Sequence, residues 1–228
     1  MSTDSEPQRT PQDLAKEEAG RRAAAYVTDG MRVGLGTGST VHWTIIELGE
    51  RKLDIVCTAT SVQTHDLALS LGLKVISPDE IGALDIAIDG ADEVDPALNL
   101  TKGGGGAHTR EKIVAQMAAR FIVVVDESKL VDHLGPFGIP LEVLDFAPAV
   151  VAARVQALGA SAVTDRGRRT DNGNLIFDAA FGSITDPADL ARKLEAIPGI
   201  VEHGIFLADL VERVVIAGVD GTRELTRD

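Results

Sequence analysis

The chain has 228 residues, 44% hydrophobic and 25% charged, a balance that fits one large globular domain or two small ones. A formal net charge of −13 argues against a general nucleic-acid binder, which needs a basic footprint; the excess acid reads as a solvated surface. No apolar run reaches the roughly 18 residues of a membrane span, and the one cysteine, Cys57, permits no intrachain disulfide and fits a reducing cytoplasm.

The opening "MSTDSEPQRTPQD" is polar, lacks the apolar centre of a secretory signal and reads as a frayed leader. A helix is expected over 11–27, where Pro11 and Asp13 suit its start and "AKEEAGRRAAAYV" has high helix propensity. "MRVGLG" reads as a short buried strand, then "VHWTIIELGE" as a helix. "LDIVCTA" is a strand with Cys57 in its core, and "VQTHDLALSLG" a helix. "KVIS" and "ALDIAID" are further apolar runs. The helix "REKIVAQMAA" leads into the strand "RFIVVVD". This alternation predicts an α/β layer with a mostly parallel sheet, and unbroken runs such as "IVVV" suit strands covered on both faces.

After Pro136 the pattern changes. "LEVLDF" reads as a strand, "APAVVAARVQALG" as a helix and "ASAVTD" as a strand; "RGRRTDNGN" reads as a polar hairpin turn. "LIFDAA", the proline-started helix "DPADLARKLEAI" and one last strand, "GIVEHGIF", complete a βαββαβ order, the split-βαβ or ferredoxin-like unit. "RVVIAG" is expected to return to the first sheet. Arg166, Arg168 and Arg169 fall on the expected turn and read as a solvated hairpin tip rather than a phosphate site.

Two glycine-rich segments carry the chemistry. "GLGTGST", from Gly34 to Thr40, lies between a strand and a helix, where free amides and the helix dipole favour anions. It is no dinucleotide fingerprint: Ser39 stands where the third glycine belongs, and "CTATS" offers no ribose-binding acid. A Gly-Lys pair is also missing. Thr37, Gly38, Ser39 and Thr40 suit a small phosphate or sugar hydroxyls; a tight turn with a Ser/Thr cap explains them equally well. Ser39 has no G-x-S-x-G context, so hydrolase chemistry is weak.

The second segment is "DGADEVDPALNLTKGGGGAHTREK", from Asp89 to Lys112. Asp89 closes a strand at the sheet edge that holds ligands in open α/β folds, and Asp92 follows. Lys102 enters the run Gly103 to Gly106, and Glu111 leaves it on the first turn of a helix. Turn capping explains each aspartate alone, and helix-dipole compensation explains Glu111 at about 0.3–1 kcal/mol. Neither explains Lys102 or four tolerated glycines. Such a run folds closely over a ligand and presents its amides. The set supports proton transfer beside a carbonyl: a carboxylate base removes a C–H proton while a lysine and amides hold the oxyanion. No metal is needed. The five histidines are scattered, and none pairs with another histidine or a cysteine at ligand spacing.

"GLGTGST", "DGADEVDP", "KGGGGAHTREK" and "DESK", in this order and with the βαββαβ insert, resemble ribose-5-phosphate isomerase of type A over nearly the whole chain beyond residue 11. The resemblance implies a Rossmann-like catalytic domain, 1–135 with 207–228, and a ferredoxin-like α+β domain, 136–206. It implies interconversion of ribose 5-phosphate and ribulose 5-phosphate through an enediolate, with no cofactor, in a cytoplasmic homodimer or homotetramer. By motif, Glu111 is the base, and Lys102 with the amides of Gly103, Gly104 and Gly105 steadies the enediolate oxygen. Asp89, Gly90, Ala91 and Asp92 bind sugar hydroxyls, and Asp89 assists ring opening or the O1/O2 proton shuttle. Thr37 to Thr40 form the substrate-binding turn, Lys129 is a phosphate ligand, and Lys16 a second. His108 departs from the family's usual apolar residue and is expected to point outward. The competing readings are a sugar-phosphate deaminase, lactonase or CoA transferase on the same fold, and a sugar-phosphate sensor without turnover. The first three would lack this acid–lysine–glycine–acid loop. The sensor needs a DNA-binding unit for which the region before Gly34 is too short.

Overall fold

The computed structural model describes residues 10–218 and 221–227; most of the polar leader lies outside them. Helix α1 (Pro11–Ala24) starts on a capping box: Thr10 Oγ1 accepts from the Asp13 N–H, and the Asp13 carboxylate accepts from the Thr10 N–H. The chain continues through β1 (Arg32–Leu35), α2 (Val41–Arg51), β2 (Val56–Ala59), α3 (Val62–Ser70), β3 (Lys74–Val75), α4 (Pro78–Ile81) and β4 (Ile86–Asp89). A short hairpin, β5 (Glu93–Val94) and β6 (Leu100–Thr101), precedes α5 (His108–Met117) and β7 (Phe121–Asp126). Then come β8 (Ile139–Val143), α6 (Pro148–Ala157), β9 (Ala162–Arg169), β10 (Leu175–Ala180), α7 (Pro187–Glu195), β11 (Ile200–His203) and β12 (Ile205–Phe206). Strands β13 (Arg213–Gly218) and β14 (Gly221–Thr226) close the order.

The main sheet runs β14-β13-β7-β4-β1-β2-β3, parallel throughout except for β14 at one edge. β13 joins it as expected; the edge strand β14 was not anticipated. Residues of β7 alternate between two cores. Ile122 and Val124 pack with α1, α2 and α3 residues such as Ala19, Ile45 and Ala68. Phe121, Val123 and Val125 pack with Val114 and Ala115 of α5. Helices therefore cover both faces, which is why this strand is apolar without alternation. From β1 the chain winds one way to β2 and β3, then crosses back to place β4 on the other side of β1. That reversal opens a crevice beyond the carboxyl ends of β1 and β4.

The second sheet, β11-β8-β10-β9, is antiparallel throughout and has the split-βαβ order. Leu141, Val143, Phe177 and Ala179 face α6 and α7 in a third core. Their alternates, Glu142 and Ile176 among them, face α5 and the glycine run. The first helix stops at Ala24 rather than 27, and the strand expected over "LEVLDF" is Ile139–Val143; two further differences bear on the site. "GIVEHGIF" is two strands in different sheets, divided at Gly204, whose carbonyl accepts from the Lys102 N–H at 2.8 Å while its N–H donates to Pro140 at 2.7 Å. Those long-range bonds break what local pattern reads as continuous. The strand ahead of the hairpin runs on through Arg169, so Arg166, Arg168 and Arg169 lie on β9; the turn is confined to 170–174, with Gly173 at φ +85°. Among the described residues no helix is long and apolar enough to cross a membrane.

Candidate active site

The crevice is built first by the turn after β1. The Gly36 N–H donates to Ile88 O on β4 at 2.9 Å, drawing the turn against the neighbouring strand. A Cβ on Gly36 would stand 2.1 Å from Asp89 Cγ, so only glycine lets the two segments meet. The Thr37 N–H donates to Asp89 Oδ1 at 3.0 Å. The Thr37 hydroxyl joins a cluster with Thr60, Ser61 and Thr64 at 2.8–3.1 Å. Thr40, at the N-cap position of α2, makes no side-chain cap, and the first turn holds no acid. The helix start is left open toward the crevice, an arrangement suited to an anion.

Asp89, Lys102 and Glu111 meet at the bottom. Asp89 is 3% exposed and its Oδ1 also accepts from the Gly90 N–H at 2.7 Å. Lys102, 2% exposed, places Nζ 3.1 Å from Asp89 Oδ2 and 3.2 Å from Glu111 Oε2. It also donates to Gly90 O and lies over the Phe206 ring, 5.5 Å from its centre. Glu111 is 4% exposed, and its Oε2, though beside the ammonium, receives no aligned hydrogen bond. Asp92 accepts from the Gly104 N–H at 2.7 Å and ties the acid loop to the glycine run. Gly103 carries φ +109° and packs against the His108 ring, a position closed to other residues.

One ammonium faces three carboxylates. Burial pushes the Glu111 carboxyl up to about 8; the Asp89 charge adds to the rise and Lys102 opposes it. Burial likewise raises Asp89 against the pull of Lys102 and the Gly90 and Thr37 amides. Burial disfavours the Lys102 charge, but Asp89 and Glu111 outweigh it and hold the pKa above the usual lysine value. A buried carboxyl poised near neutrality beside a fixed cation is the setting for proton transfer.

A cavity of about 160 Å³ joins these groups, lined by Thr37, Gly38, Ser39, Thr40, Gly90, Ala91, Asp92, Lys102, Gly103, Gly104, Gly105, Glu111 and Lys129. Asp89 sits beneath it, between the β1 turn and Lys102. Lys16 does not line it; its Nζ is 3.8 Å from Asp126, which does. Asp126, with Val124 and Val125, was not anticipated, although it ends β7 as Asp89 ends β4. His108 does not point outward. It is fully buried beneath Gly103, with Nε2 3.3 Å from Glu202 O, because β8 and β11 cover that side of α5. Burial lowers its pKa to about 4. Nor is "RGRR" a hairpin tip: Arg168 and Arg169 are exposed, but Arg166 is part-buried, and Arg166 and Arg168 donate to carbonyls of the glycine run.

An open parallel sheet with an uncapped helix start and an acid–lysine–acid set at its switch point defines a class: α/β proteins that hold a small molecule beyond the strand ends. The chain belongs to the ribose 5-phosphate isomerase A (phosphoriboisomerase A) family, whose model matches residues 56–221. It is 48% identical over 220 residues to a ribose-5-phosphate isomerase A of Methanothermobacter thermautotrophicus, covering 92% of this chain and 96% of that one. A ribose 5 phosphate isomerase A from Neisseria gonorrhoeae superposes with a TM-score of 0.92 at 35% identity, covering 95% of this chain and 98% of that one. A D-ribose-5-phosphate isomerase solved in complex with phospho-erythronic acid gives a TM-score of 0.91 at 40% identity, with 94% and 99% covered.

Proposed function

We propose that this chain interconverts D-ribose 5-phosphate and D-ribulose 5-phosphate by moving a proton between C2 and C1. The carrying observation is Asp89 and Glu111 set on one buried ammonium, at 3.1 and 3.2 Å, at the floor of a cavity. In the open-chain aldose, ionised Glu111 takes the C2 proton. The C–H electrons form the C1–C2 double bond, and the carbonyl pair moves onto O1. Lys102 and the Gly105 amide hold the charge that develops there. Asp89, its pKa raised by burial, passes the O2 proton to O1. Glu111 returns its proton to C1 as the O2 electrons close the ketone. Bonds and charge balance without an oxidant or a cofactor.

The phosphate is assigned to the part of the cavity lined by Ser39, Thr40 and Lys129, where α2 begins. Lys16, beside Asp126, adds positive charge at the rim. In this reading 1–135 with 207–228 is the catalytic domain and 136–206 the ferredoxin-like domain. The enzyme works in the cytoplasm, a compartment that suits its single cysteine, the buried Cys57, and it acts as a homodimer or homotetramer. The test is conversion of ribose 5-phosphate in heavy water. Deuterium at C1 of the ketose is expected from partial exchange at Glu111; binding of ribose 5-phosphate without conversion overturns the reading in favour of a sensor.

A further inference from the structure

The glycine run has an external brace. Arg166, on β9 of the antiparallel sheet, donates Nη1 to Gly103 O at 2.7 Å and to Gly104 O at 3.1 Å. Its Nε and Nη2 grip both carboxylate oxygens of Asp178 on β10, each at 2.5 Å. Arg168 adds a bond to Gly104 O at 2.9 Å. Gly103 O also closes the local turn by accepting from the Gly106 N–H at 2.9 Å. The Arg166 side chain is 13% exposed. A bidentate guanidinium–carboxylate pair is planar and directional. Anchored across two strands, it sets the loop's position rather than following it.

The consequence reaches the cavity through the peptide bond. Each peptide is a rigid plane, so a pinned carbonyl fixes the N–H of the next residue. Pinning Gly103 O orients the Gly104 N–H, which reaches Asp92 at 2.7 Å. Pinning Gly104 O orients the Gly105 N–H, which has no acceptor among the described residues, in a stretch that lines the cavity. Cations on the carbonyl side also polarise the amides and strengthen them as donors. Consecutive glycines lose more freedom on ordering than any other residues, so the run does not hold this shape by itself.

We propose that Arg166 is a positioning residue for the isomerisation: from the second sheet it preorganises the free Gly105 amide to receive the enediolate oxygen, while the Gly104 amide beside it seats Asp92. This rests on the function proposed above. Oxyanion donors act in the transition state, so the effect belongs in kcat more than in KM.

The experiment compares wild type with Arg166→Ala, Arg166→Lys and Asp178→Asn. It measures kcat and KM for ribose 5-phosphate, Tm, and the affinity for phospho-erythronic acid, whose planar carboxylate carries two oxygens spaced like those of an enediolate. Arg166→Ala should lower kcat about tenfold to a hundredfold, less than the loss of a whole oxyanion donor, and leave KM little changed. Affinity for phospho-erythronic acid should fall with kcat. Arg166→Lys, which keeps a cation near the carbonyls, should recover part of the loss. Should the alanine variant fail to fold, Arg166→Lys and Asp178→Asn carry the same split between kcat and KM. An unchanged kcat, or kcat, KM and Tm worsening together with no rescue by lysine, overturns the proposal. A wild type that does not convert ribose 5-phosphate overturns the isomerase reading itself, whatever Arg166 does.

Discussion

Lys102 Nζ stands 3.2 Å from Glu111 Oε2 without an aligned hydrogen bond, both groups almost wholly buried. The ammonium compensates the carboxylate's charge at the floor of the cavity. Burial and the nearby Asp89 carboxylate keep the Glu111 pKa high enough for the proton to be exchanged near neutrality.

Replacing Glu111 by glutamine keeps size and helix propensity but removes the base. Turnover should fall by about 10²–10⁴-fold or more. Far-ultraviolet circular dichroism and ribose 5-phosphate binding should stay close to wild type, and no deuterium should enter the product. Wild-type turnover in this variant would reduce Glu111 to a helix-terminus acid and direct attention to Asp89 and Asp92.

The pH profile follows from the same group. A base works deprotonated, so kcat/KM should rise with pH and level off above about 8. Asp89→Asn removes a charge that raises the Glu111 pKa, so the residual activity of that variant should rise at lower pH. Stability moves the other way. The folded carboxyl holds its proton above the unfolded value of 4.5, so its contribution falls as pH climbs from there to about 8. Thermal melts of Glu111→Gln across that range should show a weaker decline than wild type; equal slopes would contradict the assignment.

Lys129→Ala tests the phosphate end. Losing a charge-assisted contact removes about 1.5–3 kcal/mol, which weakens binding about tenfold to a hundredfold. KM for ribose 5-phosphate should rise by that factor with kcat nearly preserved. The opposite split, an unchanged KM with a collapsed kcat, would place Lys129 at the reacting carbons.

Gly36→Ala tests the contact that seats Asp89. The added methyl would meet Asp89 Cγ at 2.1 Å. Overpacking of this kind costs about 1–3 kcal/mol, and each kcal/mol lowers Tm by about 2–4 °C in a chain of this size. Activity should fall further than stability accounts for, because Asp89 loses the geometry of its bonds to Thr37 and Lys102. Kinetics measured well below the melting temperature separate the two effects; full activity there would show that Asp89 tolerates displacement.

The residues around the reacting end could be read from the chain because they are close along it and their chemistry is local. Asp89, Lys102 and Glu111 lie within one segment that β5, β6 and the glycine run fold back on itself. Unbroken apolar strands, the helix starts at Pro11 and Pro187, and the anion-ready turn after β1 follow from dihedral limits and periodicity, which act over a few residues. Asp126 was within reach of the same reasoning: it ends a strand on the edge that holds ligands and opens the "DESK" motif, of which only Lys129 was given a role.

Tertiary packing decided the remainder. His108 is buried because strands more than thirty residues further along cover α5, and nothing adjacent to it in sequence encodes that cover. Arg166 and Arg168 resemble a solvated turn until β9 is paired with β10 and its outer face is laid on the glycine run. "GIVEHGIF" divides at Gly204 because the Lys102 amide and the Pro140 carbonyl claim its backbone from opposite sides. In each case the deciding term is a polar group's hydrogen bond to a partner distant in sequence. Local propensity carries no record of that partner, whereas the folded chain must satisfy it or leave a hydrogen bond unmade.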